Sequence, residues 1–172
     1  MRVLGIDPGS HTTGYGIVDH EGGAIRHIDN GGIRPGSGLP LAGRLQSIYS
    51  GLSRLISVHR PDMVAVENVF FAKNARSSLM IGHARGVAIL AASLAGLPVA
   101  EYQPSEIKQA VVGQGQATKH QIQQMVRAIL GLPEIAFEDA SDALAVAICH
   151  CHGEGLRRSI AKSTRKRSAK ET

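Results

Sequence analysis

Apolar residues fall in short blocks through the first thirty-odd positions and then recur at three- and four-residue steps, so the chain divides into a strand-rich start and an alternating remainder. RVLGID, TTGYGIVDH and AIRHIDNGGIRP read as three strands separated by DPGS and EGG turns, which makes an antiparallel meander. From Leu39 to His59, Leu41, Leu45, Ile48, Leu52, Leu55 and Ile56 form one stripe, predicting an amphipathic helix ended by Pro61. DMVAVE is a fully apolar strand finishing on Glu67. Ser77 to Leu94 reads as a helix rich in Ala and Gly with apolar residues on more than one face, so it wants a sheet on one side and another subunit on the other. LPVAEYQ supplies a fifth strand, PSEIKQAVV a short helix, HQIQQMVRAILG a longer one closed by Gly131 and Pro133, and Asp139 to Cys151 a last helix. A meander followed by alternating helices and strands predicts an α/β fold: a five-stranded mixed sheet with helices on both faces.

Length and composition add modest bounds. A chain of 172 residues fits one ordinary domain, and no apolar run reads as long enough to cross a bilayer. The start, MRVLGID, enters a strand without a signal-peptide pattern, so a cytoplasmic location is expected. The net charge of +5 belongs to the end of the chain: residues 153–172 hold seven Lys/Arg and two Glu, while residues 1–152 hold twelve of each sign. Residues 1–152 therefore read as the folded domain and 153–172 as a basic, disordered tail. Cys149 and Cys151 alternate with His150 and His152, but residues two apart on a helix point about 200° apart, which argues for reduced, buried thiols rather than zinc.

The candidate chemistry is acidic. Asp7 and Glu67 each end an apolar strand, where ligands collect in sheets with crossover helices, and adjacent parallel strands would bring them within a few ångströms. Asp139 and Asp142, three apart in EDASDALA, share a helix face. Glu138 is expected to point away from Asp142, outside the group. Several carboxylates in one place repel unless a cation lies between them, and oxygen-only ligands favour magnesium or manganese. For each aspartate taken alone, a turn or helix-dipole role is the better account.

Taken together, GIDPGSHTTGYG, VENVFFAKN, GHARGV and EDASDALA, in this order, resemble the RuvC family of bacterial Holliday-junction resolvases over residues 1 to about 152. The resemblance implies an RNase H-like fold of the retroviral integrase superfamily, a homodimer, and magnesium-dependent cleavage of four-way DNA junctions. Its acidic quartet falls on Asp7, Glu67, Asp139 and Asp142, which would hold two Mg2+ ions per subunit, with Mn2+ able to substitute. Phe70 is implied to stack on an unpaired base, Lys108 and Lys119 correspond to basic positions near the site, and Lys73 and Arg76 suit phosphate contact. The RuvA–RuvB branch-migration complex is the implied partner, and no membrane is. DPGSHTTG also resembles the phosphate loop of actin/Hsp70-type ATPases, but those need a second lobe that 172 residues cannot supply. A junction-binding protein of the same fold without catalysis is the other alternative.

Overall fold

The computed structural model describes residues 1–9, 11–68 and 74–168, with side chains described as far as residue 153. Three strands, β1 (Arg2–Asp7), β2 (Thr13–Glu21) and β3 (Ala24–Ile33), form the meander. Gly22 and Gly23 both have positive φ, 59° and 89°, which is what a tight hairpin between twisted strands demands. Then come α1 (Leu41–His59), β4 (Met63–Glu67), α2 (Ala75–Leu94), β5 (Val99–Tyr102), α3 (Pro104–Val112), α4 (Lys119–Leu130) and α5 (Glu138–Ser168). The sheet order is β3-β2-β1-β4-β5, antiparallel within the meander and parallel for β1–β4 and β4–β5, the mixed five-stranded sheet expected from the hydrophobic pattern.

Because strand side chains alternate, each strand feeds two cores. Leu4, Ile6, Ile17, Val64 and Val66 pack with Ile48 and Leu52 of α1 and Ala84, Ala88, Ala91 and Ala92 of α2. Val3, Val18, Met63 and Ala65 face the other way, toward α3, α4 and α5. On that second face β1 and β2 also place Gly5, Gly14 and Gly16. A Cβ at Gly5 would lie 2.1 Å from the Ala143 carbonyl oxygen, one at Gly14 2.0 Å from that of Asp139, and one at Gly16 2.7 Å from Leu144. The glycines make a floor on which α5 lies nearly backbone to backbone, and Ala140, Ala143 and Ala147 complete the contact from above. With α3 and α4 covering its outer side, α5 is buried at every position from Ala140 to Ile148 except Asp142, and the thiols of Cys149 and Cys151 are buried and free.

One sequence reading changes. No apolar run was expected to be long enough for a bilayer, yet α2, at 20 residues, qualifies by length and composition. Ala and Gly make up half of its apolar content, and the Ala stripe is consumed by packing on the sheet while Arg85 pairs with Glu101 of β5. At the C-terminus the α5 backbone continues as helix to Ser168, into the stretch that reads as a basic tail. Arg, Lys and Ala sustain helix propensity there after the core-forming pattern has ended.

Candidate active site

Asp7 and Glu67 are the last residues of β1 and β4, which run parallel with Ile6 opposite Val66. Alternation from Val3 through Gly5 to Asp7, and from Met63 through Ala65 to Glu67, puts both carboxylates on the α5 face. The first turn of α5 rests on Gly14, the β2 partner of Asp7, which brings Asp139 and then Asp142 over the same strand ends. The four acids line one open cleft of about 510 Å³, together with Gly9, Thr12 and Lys119. A second cavity of about 210 Å³ adjoins it, sharing Glu67, Lys119 and Asp142 and adding Lys108.

The electrostatics follow from crowding. Burial, then the charges of Glu67 and Asp142, a hydrogen bond with Glu67, and Asp139 hold the Asp7 carboxyl well above the ordinary carboxylate range. Glu67 is also raised by burial, against the hydrogen bond from Asp7 and the positive charges of Lys119 and Lys108. Burial raises Asp142 too, opposed by Lys119. Lys119 Nζ lies 2.9 Å from Asp142 Oδ2 and 2.5 Å from Glu138 Oε1. Burial works to lower the Lys119 ammonium, but those two bonds prevail and hold it above its ordinary value.

These shifts make stability depend on pH with a definite sign. Above the unfolded carboxylate pKa of ~4 the unfolded chain has released protons that the native chain still holds on Asp7, Glu67 and Asp142, so stability falls as pH rises through the raised native values. Asp19, held low by its hydrogen bond from Arg2, acts in the opposite sense below that window. Thermal melts in chelator should therefore give a lower Tm at pH 8 than at pH 5, with a shallower slope in Asp7→Asn. Equal slopes in the two proteins would assign the dependence to other groups.

Among the described residues no three His, Cys, Asp or Glu side chains are gathered tightly enough to enclose an ion. The acids meet instead through the Asp7–Glu67 hydrogen bond and the Lys119 ammonium. A shared proton and a lysine are what a cluster of like charges adopts to lower its repulsion, and the all-oxygen donor set suits a hard divalent cation in their place.

A family model described as crossover junction endodeoxyribonuclease RuvC matches residues 3–150. The chain belongs to the RuvC family. Among curated RuvC proteins it is 62% identical over 152 residues to that of Syntrophotalea carbinolica, covering 88% of this chain and 94% of the relative. It is 58% identical over 163 residues to that of Pelobacter propionicus, covering 95% and 93%. Among solved structures it resembles Thermus thermophilus RuvC in complex with a Holliday junction substrate, with TM-score 0.85, 35% identity, and 91% and 96% of the two chains covered. The RNase H-like fold expected from the sequence is the fold of these RuvC structures.

Of the residues singled out from the sequence, Asp7, Glu67, Asp139, Asp142 and Lys119 share the cleft, and Lys108 stands beside Glu67. Arg76 lines a different depression at the N-terminus of α2, with Arg44 and Asn74. Phe70 and Lys73 lie outside the described residues. Glu138 corrects its expectation: four residues advance a helix by 400°, which leaves Glu138 and Asp142 only 40° apart, and both bind Lys119. Sequence reasoning also passed over Phe137, half-exposed two residues before Asp139, with the Arg34 guanidinium 5.1 Å from its ring centre. Its signal was available in IAFED, an aromatic just before the helix start.

Proposed function

We propose that this RuvC-family chain is a metal-dependent endonuclease that resolves four-way DNA junctions by paired, symmetric nicks. The observation that carries the reading is the convergence of Asp7, Glu67, Asp139 and Asp142 on one open cleft at the ends of two parallel strands. Divalent cations held by these residues, two Mg2+ per subunit with Mn2+ able to replace them, would supply Lewis acidity, lowering the pKa of a bound water and offsetting charge on the phosphate.

The chain's own groups do the remaining work. Asp7, whose carboxyl feels all three of the other acids, would be the ligand they share a cation with, and Glu67, Asp139 and Asp142 would supply the remaining protein oxygens. Lys108 and Lys119 supply positive charge on the β5 side of the cleft for the DNA backbone. Gly9 and Thr12 also line the cleft, and glycine at position 9 lets the backbone close on Thr12, whose carbonyl oxygen a Cβ would meet at 2.0 Å. Hydrolysis at such a site leaves a 5′-phosphate and a 3′-hydroxyl. Phe70 is proposed to stack on an unpaired base, while Lys73 and Arg76 are proposed to contact phosphates.

A homodimer is part of this reading. Leu79, Leu90 and Leu94 of α2 are exposed, and Gly82 and Gly86 between them face open space, giving an apolar stripe of low profile on the face opposite the buried Ala stripe. A two-fold axis through such a stripe would present two clefts to strands of like polarity in a four-way junction. Leu90→Lys is expected to shift the dimer toward monomer by at least ~10-fold in dissociation constant, as read by sedimentation equilibrium; an unchanged constant would place the interface elsewhere. A RuvA–RuvB branch-migration complex and a cytoplasmic location are proposed with it.

Incubating the protein with a synthetic four-way junction, with and without magnesium and with linear duplex as control, tests the activity. The expected result is paired nicks in the junction alone, requiring the metal and ligatable afterwards. Binding without cleavage in both magnesium and manganese would overturn it.

A further inference from the structure

Lys119 is the first residue of α4, and its backbone is fixed by the capping box in which Thr118 and Gln121 satisfy each other's amides. Only the side chain is free to swing, and its ammonium is held by two acids one turn apart on α5. Asp142 is the inner one, with 22% of its side chain exposed, and Glu138 the outer one, with 66% exposed. A cation bound through Asp142 is repelled by this ammonium on the same carboxylate, because two positive charges so close together disfavour each other. What the repulsion costs depends on where the ammonium goes. Without Glu138 an ammonium displaced from Asp142 has no acceptor left; with Glu138 in place it keeps one, and that bond strengthens as the ammonium is no longer shared with Asp142.

We infer that Glu138 is a positioning residue that acts through Lys119: it gives the ammonium a second seat at the rim of the cleft when a divalent cation takes Asp142. The role rests on the metal-dependent reading above. It has two consequences, easier metal entry and a lysine kept close to the position proposed for the DNA phosphate instead of being lost to solvent. Neither follows from the quartet alone, since Glu138 is not needed as a ligand.

Calorimetric titration of the full-length chain with Mn2+ in the absence of DNA tests this in four proteins: wild type, Glu138→Gln, Lys119→Met and the double variant. Glu138 is exposed, so its replacement should leave the fold intact. Glu138→Gln is expected to weaken Mn2+ binding about three- to fivefold, the scale of an exposed ion pair, and Lys119→Met to tighten it. In the Lys119→Met background the Glu138 change should have little effect. A loss of equal size in both backgrounds would show that Glu138 acts by its own charge and overturn the role, as would no loss in either. Wild-type protein that takes up no Mn2+ would overturn the metal reading and this role with it; uptake without coupling overturns the role of Glu138 alone.

Discussion

Asp7→Asn is expected to lower junction cleavage in magnesium by more than ~100-fold while leaving the protein folded. Changes one shell away from a metal typically cost about 10- to 100-fold, and Asp7 is proposed as a direct ligand at the centre of four acids. Asparagine keeps the size and one carbonyl oxygen but removes the charge that a hard cation needs. Stability should move the other way. Burial and three neighbouring carboxylates oppose ionisation of Asp7, so a neutral amide relieves repulsion, and Tm in chelator at pH 8 should not fall. Cleavage near the wild-type rate would remove Asp7 from the chemistry, whereas a loss of activity accompanied by a lower Tm would point to a structural role.

Gly14→Ala should be nearly as damaging, although it touches no substrate. The added methyl would sit 2.0 Å from the Asp139 carbonyl oxygen and 3.1 Å from its Cβ, and backbone cannot swing aside as a long side chain can. Overpacking a close contact costs about 1 to 3 kcal/mol, and relief here requires lifting the first turn of α5 from the sheet. That movement carries Asp139 and Asp142 away from Asp7 and Glu67. The expected outcome is a lowered Tm together with loss of cleavage that persists at temperatures where circular dichroism shows the variant folded. Gly22→Ala makes a useful comparison: its Cβ meets nothing within 4 Å, so its cost is confined to a φ of 59° in the hairpin, and cleavage per folded molecule should be unchanged. Full activity in folded Gly14→Ala would show that the cleft tolerates displacement of α5.

Much of this was legible from one dimension because the signals are local. Blocks such as VLGI and MVAV, short and bounded by turn signals, suit strands buried on both faces, and the i, i+3, i+4 stripe from Leu41 to Ile56 marks a helix with one buried face. Termination of two such strands on Asp7 and Glu67 was visible for the same reason. Glu138 was misread although helix geometry alone should have placed it, as four residues return a helix to almost the same face. Lys119 was legible as a charge near the cleft but not as the partner of Asp142, because that contact joins α4 to α5 across a distance no periodicity encodes.

The residue pattern by itself determined which segments become strands and helices, which faces they bury, and which four acids stand at their ends, since all of these follow from side-chain period and backbone propensity. Only the tertiary structure decided that Gly5, Gly14 and Gly16 lie on one face of two neighbouring strands as a floor for α5. How near two elements approach is set by the missing Cβ atoms of one against the backbone of the other, and that distance carries Asp139 and Asp142 to the ends of β1 and β4.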